Sequence, residues 1–576
     1  MSRKMLFPEG RSKDKWEEIR SCDIYKDMIA DLIRGEESFT EELAGENYSL
    51  FTQFWRSGNR ASYEKVYFEK RKRLNTYATL ALIYPENQRY ISKLEEVIWV
   101  ICSEFTWCLP PHLGGASLPM ETYLDVIDLF SAETGSALAE IKYLLGDRLS
   151  DLIKRRIRYE LEKRIVGPYL RKRFRFETAK INWNAVCNSG VGMALIYEFP
   201  KVFDTEKQRI LDSLSLFIAG YGDDGACPEG LAYWAYGFGY YVCFAKLLRD
   251  YTGGLTDLLK GEKLRRIAMF QQKMYLNGKR KVTFADTHIS YSYYYPGLTH
   301  FLTNEYEGVR VPHGVGFPTC DANDNCYRWA LHIRNFVWTD PKYSKTYAVD
   351  ETNYLSNVQW FTVISKKHDA GFAIQAGYNG LIHGHHDIGG FIYVKHEDVV
   401  IDDLGSGEYT AKTFGKDRFK FFTNSSRGHS VPIINGKYQT DGPKVRGRSI
   451  TYDEQSFQLD MSVAYPPETA LESLVRKINF GESLLLTDHY VFSAMPEDVT
   501  ERFITRLPTE IVDGRVIIHG DRGQYEILYD ASSCTPKLNF ECFTISGGKE
   551  DRGNIIDFIS IDRKKEMCLK FEIIKL

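Results

Sequence analysis

The 576-residue chain has no run of about eighteen apolar residues, so no stretch of it is long enough to cross a bilayer as a helix. It has no Cys-x-x-Cys pair, and its eleven cysteines are an odd number. That pattern argues against a disulfide framework and for reduced thiols. The N-terminus, MSRKMLFPEGRSKDKWEEIR, lacks the apolar core of a secretory signal, so a cytoplasmic protein is expected. An excess of one charge is missing too: 74 Lys and Arg stand against 77 Asp and Glu, a net charge of −3. Bulk attraction to nucleic acid is therefore not expected, although a local basic cleft for an acidic ligand remains open. Histidine is scarce, with thirteen in the whole chain.

Aromatic residues are abundant. Thirty-seven tyrosines and thirty-four phenylalanines bring the aromatic fraction to 14%. That suits a large core and also a cleft that stacks flat ligands such as sugars. The length predicts more than one domain, and the hydrophobic period changes once along the chain. From about residue 12 to 305 apolar positions recur at i, i+3 and i+4, as in EEVIWVICSEFTW, ETYLDVIDLFSAETGSALAEIKYLL and KQRILDSLSLFIAGY. No convincing strand shows there, and helix pairs of similar length fit a toroid or solenoid. After a Pro/Gly/Asn-rich passage (309–325) and a short helical segment, CYRWALHIRNFVW, the period becomes two. WFTVISKK, GFAIQAGYN, GFIYVKHEDVVIDDL and SLLLTDHYVFSA read as strands of a stacked antiparallel sheet. The expectation is an α+β chain with a helical domain over 1–345 and a β-sandwich domain over 346–576.

Three of the scarce histidines fall within LIHGHHDIGGFIYV, residues 381–394. Read as a strand, this stretch puts His383 and His385 on one face and His386 on the other. Asp402 and Asp403 end the next strand, and His429 begins another. Two imidazoles and one carboxylate from neighbouring strands make a divalent metal site, zinc by ligand type. In INWNAVCNSGVGMALIYEF, Asn184 and Asn188 lie one helical turn apart. Asparagine is a poor helix former and costly to bury unpaired, so the pair suggests amides lining a cleft. DGACPEGLAYWAYGFGYY starts a helix in which Tyr233 directly follows a glycine-containing turn and faces a cleft, while Tyr240 and Tyr241 read as core. EFTWCLPPHLGG adds Glu104, Trp107 and His112 at a helix end.

These segments, in this order, resemble the heparinase II/III-like polysaccharide lyases. The likeness rests on HGHHDIGGF, IDDLGSGEY, GHSVPIING, the NWNAVCNSG helix, the DGxxxEGxxYWxYG helix and the run EFTWCLPPH…DLFSAETG, and spans about residues 90–440. It implies an incomplete (α/α) toroid followed by an antiparallel β-sandwich. It also implies β-elimination on uronic-acid glycans of the heparan, chondroitin or hyaluronan class. Such chemistry needs a base for the proton at C5, an acid for the leaving O4, and a donor to the substrate carboxylate. By the resemblance Tyr233 and His383 supply the proton chemistry, and Asn188, with Asn184 close by, supplies the amide. Trp107, His112, Glu229 and Tyr236 would contact substrate. The metal ligands would be His385, Asp403 and His429, holding one mainly structural ion, zinc, or manganese or calcium because one ligand is a carboxylate. His386 receives no role. The partner implied is an acidic polysaccharide or oligosaccharide, with neither nucleic acid nor membrane, and a homo-oligomer is compatible. Two other readings stay open: a glycoside hydrolase using Glu104, Asp224 and Glu229, and a carbohydrate-binding protein without activity.

Overall fold

The computed structural model describes residues 5–576 except 42, 44, 46, 279, 318–324, 443 and 546–547. Residues 318–324 of the Pro/Gly/Asn-rich passage therefore lie outside the described residues. Helices dominate as far as Trp329–Val337, and the strands of the large sheets begin at Glu351–Leu355. The architecture is an incomplete (α/α) toroid followed by stacked antiparallel sheets.

The sequence separates two classes of helix. Leu129–Leu145 and Asn182–Glu198 are buried almost all round, so they form the inner layer. Gln88–Ser103 and Asp151–Leu161 bury one apolar stripe and form the outer layer. The inner helices are rich in Gly, Ala and Ser because their backbones must approach closely. A Cβ on Gly190 would lie 2.8 Å from the carbonyl oxygen of Ala132 on the neighbouring inner helix. The stretch ETYLDVIDLFSAETG does not form one continuous helix. It breaks between Met120–Leu124 and Leu129–Leu145, where Asp128 caps the second helix through Ser131. A small antiparallel hairpin, Tyr275–Asn277 with Arg280–Lys281, also interrupts the region expected to be free of strands. Two strands this short leave no readable period.

Three further sheets follow. A five-stranded meander runs in chain order from Glu351–Leu355 to Asp398–Ile401. An eight-stranded sheet has Glu566–Lys575 and Leu484–Phe492 at its centre, and a four-stranded sheet pairs Cys534–Ile545, Lys549–Ser560, Val499–Thr505 and Ile433–Ile434. The meander joins the two halves. Trp360, Ala373, Ile392 and Val394 pack into the helical core, while Phe361, Phe372, Ile374, Phe391 and Tyr393 pack into the core between the sheets. Both faces are buried, which is why GFIYV reads as a continuous apolar run rather than an alternation.

Candidate functional site

The site is built from loops that leave this meander. Residues 376–390, between strands Ala370–Gln375 and Phe391–Lys395, form a loop, not the strand expected for LIHGHHD. His383 has a left-handed backbone (φ 67°), so alternation of faces does not apply to it. The loop is pinned by main-chain bonds from Gly389 to Gln375 and from His386 to Asn424, at 2.7 and 3.0 Å.

His383 is held from several sides. Its Nδ1 lies 2.7 Å from Asp286 Oδ2, its Nε2 lies 3.7 Å from Glu229 Oε2, and its ring stacks on Tyr233 at 4.2 Å. The Tyr233 and Tyr409 hydroxyls share a hydrogen bond of 2.9 Å. Asp286 is fully buried and also faces His385 Nε2 at 3.1 Å and accepts from Arg418 Nη2 at 2.8 Å. Burial alone would raise the Asp286 carboxyl. The hydrogen bonds from His383 and His385, with the Arg418 charge, outweigh it and hold Asp286 well below the usual carboxylate range. Glu229 goes the other way: burial lifts it above its ordinary range against the pull of His383 and the Asn182 main-chain N–H. Burial, reinforced by the Asp286 charge, likewise raises the Tyr233 phenol. Two buried carboxylates with opposite displacements thus flank one imidazole, the electrostatic pattern of a proton-transfer site.

The expected amides are placed differently. Asn184 and Asn188 are fully buried one turn apart. The Asn184 amide donates to the carbonyls of Ala179 and Ser213, both at 2.8 Å, and the Asn188 amide donates to Asn184 Oδ1 and Ser213 Oγ. Their donors are spent on the helical layers. Asn182, at the start of the same helix, gives its main-chain N–H to Glu229 Oε1 at 3.0 Å, and its buried side-chain oxygen has no partner. Among the three it is the residue whose main chain meets the His383 cluster, while the Asn188 side-chain oxygen is also buried without a partner.

Of the expected substrate contacts, Glu229 joins the cluster and His112 stays half-buried, paired to Asp128 at 2.7 Å and edge-on to Trp183 at 4.8 Å. Trp107 is 1% exposed and gives its indole N–H to Ile101, so it is core. Tyr236 is buried, with its hydroxyl on Glu133 and its ring under Arg328. Neither aromatic offers a face to a ligand. Glu104 and Asp224, the other carboxylates considered for hydrolysis, are not beside Glu229. Glu104 is buried against Lys70 and Arg71, and Asp224 caps a turn and accepts from Asn357.

Beside His383 a second cluster gathers His385, Asp387 and His429, whose potential ligand atoms lie within 4.8 Å of one another. His385 turns its Nε2 to Asp286, and His429 turns its Nε2 to the Thr423 carbonyl at 2.9 Å. The Nδ1 of His385 is buried without a hydrogen-bond partner, and the Nδ1 of His429 faces the Asp403 carboxylate. That is the outer-contact pattern of metal-binding imidazoles, one nitrogen anchored and the other offered. Asp403 Oδ2 lies 3.2 Å from His429 Nδ1, so the expected carboxylate borders the cluster, but Asp387 closes the set around both imidazoles. Asp387, two residues after His385, thus joins the two imidazoles from the same loop, and Asp403 meets them from just past the strand Asp398–Ile401. Without an ion, burial disfavours a charged His429, but Asp403 and Asp387 overcome it and lift His429 to about 9. His386 is buried, stacked on Phe419 at 3.6 Å, and burial lowers it to about 4.

Asp286, Asp387, Tyr409, Arg418 and Asn182 were not singled out from the sequence. Asp387 and Tyr409 lie inside the quoted stretches HGHHDIGGF and IDDLGSGEY. Asp286 is the one acid in VTFADTHISYSYYY and lies two residues before one of the scarce histidines, a usable signal. Nothing local marks Arg418.

No protein-family model and no curated protein matches the chain. Solved structures do match it. Heparinase III superposes with a TM-score of 0.62 at 11% identity, covering 100% of this chain and 86% of the other. A heparan sulfate lyase from Pedobacter heparinus gives 0.56 at 11%, covering 98% and 93%. A chondroitin AC lyase from Streptomyces coelicolor, in complex with chondroitin sulphate, gives 0.53 at 8%, covering 99% and 82%. Over its whole length, this chain has the fold of the heparinase III and chondroitin AC lyase structures.

Proposed function

We propose that the protein is a polysaccharide lyase that cleaves uronic-acid-containing glycans by β-elimination. The observation that carries this reading is the cluster in which His383 stacks on Tyr233, Asp286 holds its Nδ1 at 2.7 Å and Glu229 lies 3.7 Å from its Nε2. In the proposed reaction Tyr233, with its ring stacked on the catalytic His383, removes the C5 proton of a uronate. The electron pair forms the C4–C5 double bond, the C4–O4 bond breaks, and a proton is delivered to O4. Asp286 fixes the His383 ring through Nδ1. The Asn182 amide is proposed to hydrogen-bond the substrate carboxylate as charge builds on it.

The His385, Asp387 and His429 cluster fits one divalent ion, zinc by its two nitrogens and one carboxylate, with Asp403 at its edge. When bound, the ion would supply structural cross-linking of the loops that carry His383, and the elimination needs no metal-activated water. The substrate class follows from the chemistry: an acidic polysaccharide or oligosaccharide with a uronate at the cleaved bond. A panel of purified uronate polysaccharides tests the reading. Ultraviolet-absorbing unsaturated sugar should form with at least one of them, and Tyr233→Phe should lose about 10²–10⁴-fold in turnover while melting like the parent. No absorbing product with any uronate glycan would end the reading.

A further inference from the structure

Resting on that elimination reading, we infer that Tyr409 is a positioning residue that sets the hydroxyl of Tyr233 for both of its proton transfers. The Tyr233 ring is already fixed by stacking on His383, but stacking leaves the hydroxyl hydrogen free to rotate. Tyr409 removes that freedom through the 2.9 Å bond between the two oxygens, and among the described residues it is the side chain bonded to the Tyr233 hydroxyl.

The segment that carries Tyr409 is anchored on both walls of the site. Glu408 gives its N–H to Thr544 of the four-stranded sheet at 2.8 Å, and Ala411 gives its N–H to Gly58 of the helical wall at 3.4 Å. Arg418 ties the segment's far end to Asp286. Between these anchors Phe414 stands edge-on to both Tyr409 and His383, at 4.9 and 5.9 Å. The Tyr409 hydroxyl is thus delivered to Tyr233 by a braced strap.

The chemistry of two phenols sharing one bond explains the use. When Tyr233 is ionised, Tyr409 donates into its oxygen and aims the remaining lone pairs. Tyr233 then takes the C5 proton, the C–H electrons form the new double bond, O4 leaves with the C4–O4 pair, and Tyr233 returns the same proton to O4. Tyr409 keeps its own proton throughout, so the cycle balances without a further reactant. The groups facing Tyr233 are Asp286, Glu229, His383, Arg418 and Tyr409. Burial, Asp286 and Glu229 oppose its ionisation, whereas the Tyr409 hydrogen bond and Arg418 favour it.

The test compares Tyr409→Phe with the parent and with Phe414→Leu, each checked for unchanged circular dichroism and melting. Tyr409→Phe should lose about 10–100-fold in kcat with KM little changed, and the acidic limb of its pH–kcat profile should move up by about one unit. Phe414→Leu disturbs the strap but keeps both hydroxyls, so its profile should stay where the parent's is. Parent kcat and profile in Tyr409→Phe would overturn the inference, as would a fall in kcat without movement of the limb, or an equal movement in Phe414→Leu. Those outcomes leave the lyase reading intact. Absence of unsaturated product from the parent protein would remove both.

Discussion

Asn182, Asn184 and Asn188 share one helix but not one environment. Asn184 and Asn188 spend their donors inside the helical layers, and Asn182 ends beside Glu229. Asn188→Ala should therefore cost about 1–3 kcal/mol in urea unfolding through lost buried bonds, with the surviving folded fraction turning over normally. Asn182→Ala should keep most of its stability and lose about 10²-fold or more in kcat. The opposite pair of results would return the carboxylate contact to Asn188. Spacing alone could not make this distinction, because an i, i+4 pair shares a face whether that face looks onto a cleft or onto another helix. The histidines were more legible: His383, His385 and His429 all reach the site, since scarce residues concentrated in one stretch carry information. Asp387 was not assigned, although alternation places it on the face of His385, because Asp403 already supplied the carboxylate. For the ion, His385→Ala should lose metal and melting temperature together, and His383→Ala should lose activity and keep metal. Asp387→Asn should lower metal content more than Asp403→Asn. Elemental analysis of the four variants, with melting and activity assays on the two histidine variants, reads these outcomes, and metal-free parent protein would contradict the ion's assignment.

At the scale of elements, the strands that pack one face are clear in the sequence. Leu484–Phe492 alternates buried and half-buried along its whole length. The loops that carry the chemistry are the least legible part, because their shapes depend on single residues with unusual backbone angles. Gly405 is one of these. Its φ is 65°, and a Cβ there would sit 2.3 Å from the Thr287 carbonyl oxygen, next to the Asp286 loop. Its N–H also caps Asp403 at 2.9 Å. Gly405→Ala should cost about 1–2 kcal/mol from the left-handed backbone alone, and more from the clash. It should also lower kcat by displacing Tyr409 and Asp286. Chemical denaturation with parallel kinetics checks this, and a neutral effect on both would show that the loop yields easily.

Across the whole molecule, the change of period from helical to alternating was readable because hundreds of residues contribute to it. The meander that serves two cores at once was not, since both its faces are apolar and periodicity cannot say which core each face meets. A large folded chain also hides titratable groups. His300 is fully buried, accepts the Asp340 N–H on Nδ1, and is lowered by burial from 6.5 to about 4. Between those two values the unfolded chain binds a proton that the folded chain refuses. Stability should therefore fall as pH drops from 6.5 towards 4. His386 is lowered to a similar value, so His300→Gln should make that part of the melting-temperature profile shallower, and an unchanged slope would place the proton uptake elsewhere. The central claim is that bond cleavage is an elimination, and isotope labelling tests it most directly. Digestion of a uronate glycan in ¹⁸O-water, followed by mass spectrometry of the fragments, should show an unsaturated non-reducing end and no ¹⁸O introduced by the cleavage step, after correction for exchange at the reducing end. Fragments heavier by one added water, with ¹⁸O at the cleaved position, would contradict it.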